Sequence, residues 1–417
     1  MTSPDGAAAL NHLDAEPGLA ANDRPLFRPI RSKWPVYADD EVEAVTKVLR
    51  SGRVNSLQHG DQCRSFEAAF AKSCDMPYGI SLANGTLALE LALRALEIGP
   101  GDDVIVTSRS FVASASCVVN AGAAPVFADV DADSQNLTAS SVRAALTPKT
   151  RAIIVVHLAG YSSEMDELCA LAGEKGLKLI EDCAQAHGAT YKGRPVGSFG
   201  DASAFSFCTD KIMSTGGEGG MLLLKDEEAF LRAWSYKDHG KDYALAMEKS
   251  TEPKFRWMIS SVGTNFRMTE MQAAIGLHQL SKLKFWVEER RARARILDGV
   301  FGELIAVRLP AARNDIGHAY YKYYLFIRPE KLREGWSRDR ILREAAALGA
   351  PCGPGSCSEI YLEKAFIDRG ACDHPRLPVT RALGETSILL PVDQTLSLSD
   401  VREMGDILRY VVLQATA

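Results

Sequence analysis

The sequence lacks the features of several protein classes. Its 417 residues contain nine cysteines, an odd number, and no CxxC pair. This usage argues against a disulfide framework or a zinc site, so we predict no metal and a cytoplasmic protein with reduced thiols. No uninterrupted apolar stretch reaches about 18 residues, and we therefore predict no membrane span.

A strong charge of either sign is also missing. Lys and Arg number 48 against 53 Asp and Glu, which leaves a formal net charge of -5. Such a balance provides no long-range attraction for nucleic acid or anionic lipid, so we predict no nucleic-acid partner. Residues 1–28 have no basic segment followed by an apolar core, and we interpret them as a loose tail, not a secretory signal.

From residue 39 onward, the chain alternates between helix-like and strand-like segments. Asp39 or Asp40 can cap a first helix that Gly52 ends. Further helices are predicted at LALELALRAL and MDELCALAGEKG, and strands at VIVTS, PVFADV, AIIVVHLAG and LKLIED. This alternation predicts an α/β fold with a mostly parallel sheet flanked by helices.

After Asp182 the pattern changes. We predict a hairpin at ATYKGRPVG, strands at FSFC and MLLLK, and a long helix from Thr269 to about Phe301. The Arg-rich second half of that helix, EERRARARI, is interpreted as a solvated face linking two domains. The predicted units are the tail, a large domain at 29–280, and a smaller C-terminal α+β domain at 281–417.

Two motifs follow predicted strands of the first half. Asn84, Gly85 and Thr86 lie between a strand and an apolar helix, where backbone N–H groups at the positive helix end can hold a phosphate. A plain N-cap explains the same residues. Asp182 ends a buried strand, at the edge of the sheet where ligands bind in open α/β folds. Its side chain could face such a ligand, or it could cap the next segment. Gln185 and His187 add polar groups nearby, although a lone histidine is more often structural.

Two further motifs lie in the second half of the predicted large domain. In FSFCTDKIMSTGGEGG, Ser206 ends a strand and Lys211 precedes a glycine-rich loop. A Walker motif is excluded because the lysine comes before the glycines. In GTNFRMTEMQAAIG, a capping box explains Thr269, whereas Asn265 and Arg267 have no evident structural duty and could serve a ligand or a partner subunit.

One cofactor needs a lysine, a carboxylate and a phosphate cradle together. Pyridoxal 5'-phosphate (PLP) binds covalently to a lysine, and a carboxylate pairs with its pyridinium nitrogen. Lys211 and Asp182 fit these two roles. Phe111, which follows the strand VIVTS, could stack on the ring or could be a core aromatic.

From about residue 27 to the C-terminus, the sequence resembles the DegT-type sugar aminotransferases, a branch of the fold-type I PLP enzymes. The resemblance is carried, in order, by ANGTLALELAL, SFVASASCVVNAGAAPVFADVD, VVHLAG, IEDCAQAHGA, FSFCTDK with GGEGG, and GTNFRMTEMQAA. It implies that Lys211 bonds to the cofactor, Asp182 pairs with the ring nitrogen, Gln185 contacts the ring hydroxyl and Phe111 stacks on the ring.

The resemblance also implies how the phosphate is held. Gly85, Thr86 and Ser206 would bind it from one subunit, and Asn265 would reach it from the other subunit of a homodimer with shared sites. Lys211 stands where the related sugar dehydratases carry histidine, which argues against dehydration. The chain departs from the family at Thr209, Asp210 and Ile212 around the lysine, and at residues 351–361, so the substrate side of the pocket is expected to be specialised.

The function implied is amino transfer from L-glutamate to the keto group of a nucleotide-linked sugar. Two alternatives remain open at this stage: an aminotransferase acting on a cyclitol ketone, and a non-catalytic PLP-binding sensor. Arg267 and His239 are candidate contacts for a carboxylate or diphosphate, or simply solvated side chains.

Overall fold

A computed structural model describes residues 28–56, 60–248, 255–311, 313–370 and 375–417. Apart from residue 28, the predicted tail lies outside the described residues. The strands are β1 (Tyr78–Leu82), β2 (Asp103–Thr107), β3 (Ala124–Ala128), β4 (Thr150–Val156), β5 (Lys178–Asp182), β6 (Thr190–Tyr191), β7 (Arg194–Pro195), β8 (Ala202–Ser206), β9 (Gly220–Leu224), β10 (Val307–Arg308), β11 (Ile316–Gly317), β12 (Tyr323–Ile327) and β13 (Ser387–Leu390).

Helices connect and cover these strands. They are α1 (Asp39–Ser51), α2 (Gln62–Ser73), α3 (Gly85–Ala95), α4 (Ala113–Asn120), α5 (Ala139–Ala145), α6 (Met165–Lys175), α7 (Glu227–Lys237), α8 (Tyr243–Met247), α9 (Glu270–Phe301), α10 (Arg338–Ala347), α11 (Lys364–Ile367), α12 (Pro378–Thr386) and α13 (Leu398–Ala415). None of the helices described is long and apolar enough to cross a bilayer.

A seven-stranded sheet in the order β1-β9-β8-β5-β4-β2-β3 forms the centre of the large domain. The pairs β2–β3, β2–β4, β4–β5 and β5–β8 are parallel, and β9 runs antiparallel to both of its neighbours. The predicted mostly parallel sheet is therefore confirmed. Because the carboxyl ends of β1, β2, β4, β5 and β8 meet at one edge, the loops that follow them can share a ligand.

The first helix begins differently from the prediction. Its N-cap is Ala38, and the Glu41 side chain accepts a hydrogen bond from the Ala38 N–H. The prediction of Asp39 or Asp40 as cap is wrong, because both lie inside the first turn, where their charges complement the helix dipole. Gly52 ends the helix with a φ of 68°, as predicted.

The long helix α9 joins the large domain to the smaller one. Thr269 is its N-cap and forms the predicted capping box with Gln272. The first part of the helix packs in the large domain through Ala273, and the last part packs through Leu297 and Phe301. There it meets the three-stranded sheet β10-β12-β13 together with α10 and α13. The exact domain boundaries stay a prediction.

The interpretation of the Arg-rich half of α9 as a solvated face is wrong for two of its arginines. Arg290 and Arg293 are only 2% and 4% exposed. Arg290 donates to the carbonyl of Tyr321 at 3.3 Å, and Arg293 donates to the carbonyl of Leu396 at 2.7 Å. The five donors of a guanidinium can satisfy loop carbonyls inside the protein, so an Arg-rich segment does not have to face water.

Candidate active site

A cavity of about 890 Å³ opens at the carboxyl edge of the large sheet. The ends of strands β1, β2, β5 and β8 form one wall, and residues that precede and follow β12 form the other. Most of the predicted site residues line it: Gly85, Thr86, Phe111, Asp182, Gln185, Ser206 and Lys211. The fold thus brings together residues that lie up to 126 positions apart in sequence.

Asp182 lies at the end of β5 and is 4% exposed. Its Oδ2 accepts a hydrogen bond from Ser114 Oγ at 2.7 Å, and its Oδ1 accepts one from the Ala184 N–H at 3.1 Å. Burial raises the pKa of this carboxyl, while both hydrogen bonds oppose that effect. A cationic ring in the cavity would favour the carboxylate further, since an opposite charge stabilises the ionised form.

The neighbouring Glu181 fixes the direction in which Asp182 points. Successive side chains of a strand face opposite sides of the sheet, so Glu181 points away from the cavity side of β5. Its carboxylate accepts three backbone N–H groups from residues 197–200 and pairs with His157 Nε2 at 3.0 Å. These contacts hold the end of β5 in place.

The start of α3 forms a concave, positively polarised surface in the cavity. Asn84 caps the helix by accepting a hydrogen bond from the Leu87 N–H at 3.0 Å, which confirms the N-cap interpretation. Gly85 and Thr86 nevertheless line the cavity. A Cβ on Gly85 would lie 2.6 Å from Cβ of Ser206, so only glycine permits this approach. The two interpretations of the motif are therefore compatible, because a capped helix end can still hold an anion.

Gln185 and Phe111 face the same cavity. Gln185 Oε1 accepts a hydrogen bond from the Ala159 N–H at 2.8 Å. This bond orients the side-chain amide so that its NH₂ group is left to donate, and no described residue accepts from it. Phe111 is 65% exposed, so the alternative that it is a core aromatic is wrong.

Lys211 follows β8 in a loop at the floor of the cavity. Its carbonyl accepts a hydrogen bond from Trp34 Nε1 at 2.8 Å. Its Nζ lies 3.2 Å from Asp210 Oδ1 and 3.5 Å from Tyr321 Oη. The amine is therefore held by Asp210 and Tyr321 in the cavity that Asp182 also lines.

Three predicted residues do not line this cavity. Arg267 forms an ion pair with the buried Asp238 at 2.7 Å, so the prediction that it has no structural duty is wrong. Asn265 Oδ1 accepts a hydrogen bond from the Arg267 N–H at 3.3 Å. His239 is exposed. The prediction that Asn265 serves a second subunit stays a prediction.

The sequence analysis missed several residues that line or support the cavity. Ser114 resembles any small residue of an apolar helix, and only its bond to Asp182 marks it. Tyr321, Lys322 and Tyr324 also line the cavity, and they lie in the aromatic run YYKYYLFI, which matches none of the motifs described above. Lys322 is a charged residue inside this aromatic run, and that contrast could have identified it from the sequence as a candidate binding residue.

The donor set fits PLP. A helix N-terminus approached through Gly85 can hold its phosphate, the Asp182 carboxylate can face its ring nitrogen, and the Lys211 amine can reach its aldehyde. This combination, on a mostly parallel sheet with a smaller domain closing the cavity, defines a PLP-dependent enzyme of fold type I.

Comparison with known proteins identifies the family. A sequence profile of the DegT/DnrJ/EryC1/StrS aminotransferase family matches residues 35–409, and the chain belongs to this family of PLP enzymes. It is 36% identical to a GDP-perosamine synthase from Caulobacter vibrioides over 81% of this chain and 86% of that protein. It is 37% identical to an L-glutamine:2-deoxy-scyllo-inosose aminotransferase from Streptomyces fradiae, over 77% of this chain and 76% of that one.

A solved structure is similar along the whole fold. The aminotransferase from Psychrobacter cryohalolentis superposes with a TM-score of 0.90 at 48% identity and covers 93% of this chain and 100% of its own. The chain is therefore an aminotransferase that uses PLP, related to enzymes of amino-sugar biosynthesis.

Proposed function

We propose that this enzyme transfers the amino group of L-glutamate to the keto group of a nucleotide-linked sugar, giving 2-oxoglutarate and an amino sugar. The observation that carries the proposal is that Lys211 and Asp182 face one cavity whose opposite wall offers a cation, Lys322. The similarity to a GDP-perosamine synthase supports the same class of acceptor. The cysteine usage supports a cytoplasmic location.

Each residue of the cavity has a proposed duty. PLP, when bound, supplies an aldehyde that accepts the amino group and a cationic ring that stabilises the charge left on the donor carbon. Asp182 keeps the ring nitrogen protonated. The Lys211 amine would hold the cofactor covalently and would act as the base that accepts the proton of the donor carbon. Gln185 donates to the ring hydroxyl, and Phe111 stacks on the ring.

The phosphate is proposed to lie at the start of α3, against Gly85, Thr86 and Ser206. Asn265 would reach the phosphate of a second subunit, which makes the active form a homodimer. Exposed apolar side chains on the same segment support this arrangement: Phe255, Trp257, Ile259 and Val262 are 74%, 83%, 59% and 91% exposed in the single chain. Covering them with a second copy would bury apolar surface next to Asn265.

Lys322 favours an anionic substrate. Its ammonium lies over the Tyr321 ring at 4.9 Å and forms no hydrogen bond or ion pair with any described residue. Burial lowers the pKa of this lysine, while the charge of Asp210 opposes that effect. The diphosphate of a nucleotide-linked sugar would provide that partner.

A cyclitol ketone is the second candidate acceptor. The similarity to a 2-deoxy-scyllo-inosose aminotransferase favours it, and the name of that relative specifies L-glutamine as its donor. A neutral cyclitol would leave Lys322 without an anionic partner, so we place this candidate second.

The test is mass spectrometry of products after incubation with UDP-, GDP- and dTDP-linked keto sugars or inososes, each with glutamate or glutamine. We expect a 4- or 3-amino sugar nucleotide with glutamate and none with Lys211→Ala. Lys322→Ala is expected to raise KM for the nucleotide-linked acceptor about tenfold or more, the effect of losing a charge-assisted contact. Amination of inososes alone would overturn the choice of acceptor, and full turnover by Lys211→Ala would overturn the role of the lysine.

A further inference from the structure

Asp210 directly precedes Lys211 in the sequence. Its Oδ1 lies 3.2 Å from Lys211 Nζ. Its other oxygen accepts a hydrogen bond from the hydroxyl of Tyr321, which precedes β12. The carboxylate is thus held between the lysine and the opposite wall of the cavity, by partners 1 and 111 residues away in sequence.

The carboxylate is ionised in this setting. Burial alone would raise the pKa of Asp210, but the charge of Lys211 and the hydrogen bond from Tyr321 together lower it. The same contact, with burial as the larger cause, raises the pKa of Tyr321 well above its ordinary value. Tyr321 therefore stays a neutral donor and Asp210 a charged acceptor.

We propose that Asp210, held by Tyr321, is a positioning residue that receives the Lys211 amine whenever that amine is not bonded to the cofactor. This inference rests on the proposed role of Lys211. In the cofactor-free chain, Asp210 stabilises the ammonium form, which cannot attack an aldehyde. During turnover, Lys211 would take a proton from the donor carbon and become an ammonium ion, and Asp210 would stabilise that ion until the same proton is given to the carbon of the cofactor's aldehyde group, which returns Lys211 to the neutral amine.

Other titratable groups also face Lys211, and none replaces Asp210. Asp182, His187, Cys208 and Lys322 are close enough to interact electrostatically with its charge. Asp182 is the only other carboxylate among these groups, and both of its oxygens already accept hydrogen bonds. Within the described parts of the chain, Asp210 is the carboxylate that forms an ion pair with Lys211.

If Asp210 positions the Lys211 amine, removing its charge should speed PLP capture and slow turnover. A purely structural role would slow both rates. Asp210→Asn keeps the shape and removes the charge. The change removes the carboxylate charge that lies 3.2 Å from Lys211 Nζ, and because Asp210 is half exposed we expect the modest effect of a partly exposed ion pair. At pH 7, capture of PLP by the cofactor-free chain should be faster by up to about fivefold, with its pH profile shifted to lower pH, while kcat should fall by a similar factor, the effect of losing a partly exposed ion pair.

The experiment follows PLP capture by the visible absorbance of the lysine-bound cofactor, from pH 6 to about pH 10. Asp210→Glu is expected to restore both rates toward those of the wild type. Tyr321→Phe should shift the pH profile of PLP capture in the same direction as Asp210→Asn, but by less. If Asp210→Asn does not fold, Tyr321→Phe tests the positioning role in its place. Asp166→Asn is the matched control, because Asp166 pairs with Lys192 on the surface.

Two outcomes separate this inference from the proposed function. If the wild type bonds PLP at Lys211 but Asp210→Asn leaves the capture profile unchanged, or slows both rates together, the positioning role is wrong and the function stands. If borohydride reduction of the wild type leaves the Lys211 peptide unlabelled, the proposed role of the lysine fails and the inference falls with it.

Discussion

At the scale of single residues, the structure shows how one carboxylate is made suitable for a cationic ring. Asp182 is buried, which raises its pKa, and the hydrogen bonds from the hydroxyl of Ser114 and the N–H of Ala184 oppose that effect. A buried acid with two directed donors is typical of a functional site. The side chain of Ser114 therefore supports Asp182, although Ser114 lies outside the sequence motif that contains Asp182.

Ser114→Ala is expected to change the pH dependence of the enzyme. The hydrogen bond from Ser114 lowers the pKa of Asp182, so its loss raises that pKa further and the carboxylate is neutralised at a higher pH. The acid limb of kcat/KM should move upward by about one unit, the effect of losing a bond to a charged group. Ser116→Ala, on the same helix but half-buried and away from Asp182, is the control. An unchanged acid limb would contradict the role of Ser114.

At the scale of elements, helix α3 approaches strand β8 closely enough to require glycine. Gly85 has no space for a Cβ because Ser206 is in contact, and the positive end of the helix is thereby placed at the cavity. The contact joins two residues that both belong to the proposed phosphate site. The helix position, and not only the motif, is what makes that site.

Gly85→Ala should push α3 away from β8 and weaken cofactor binding. We expect PLP affinity to fall about tenfold or more and the unfolding free energy to drop by about 1–3 kcal/mol, since overpacking strains the backbone. Gly173→Ala is the control: nothing lies within 4 Å of its added Cβ, and in helix α6 it should gain about 0.5–1 kcal/mol. Equilibrium PLP titration and denaturant unfolding measure both effects. Equal affinities for the two variants would exclude the phosphate site at this helix.

At the scale of the whole molecule, the segment around Asn265 lies apart from the cavity of its own chain. Asn265 does not line that cavity, and the neighbouring Trp257 and Val262 are exposed. A homodimer would explain both observations at once, because a second chain would cover the apolar side chains and receive Asn265. Sedimentation velocity should accordingly give a dimer.

Mixing two inactive variants tests whether the sites are shared. Lys211→Ala and Asn265→Ala chains should each be impaired alone. In a mixed dimer, one site would combine the intact lysine of one chain with the intact asparagine of the other, so activity should return after subunit exchange. If Asn265 acts in its own chain, every site of the mixed dimer carries a defect and mixing restores nothing.

The sequence by itself determined the strands of the large sheet and the long helix α9, and it predicted Asp182 and Lys211 as residues of one site, which both line the cavity. These follow from local signals: apolar runs, a capping box at Thr269, and motifs at strand ends. Hydrophobic period and cap chemistry act over a few residues, so they can be read without the fold.

Only the tertiary structure decided which polar side chains are buried and which face the cavity. Arg290 and Arg293 were expected in water and instead bind loop carbonyls, and Arg267 pairs with Asp238. Tyr321 reaches Asp210 across 111 residues of sequence. Such contacts join residues that are distant in sequence, and the partner of a long polar side chain is chosen by the packing around it, because its hydrogen-bonding capacity is the same in every environment.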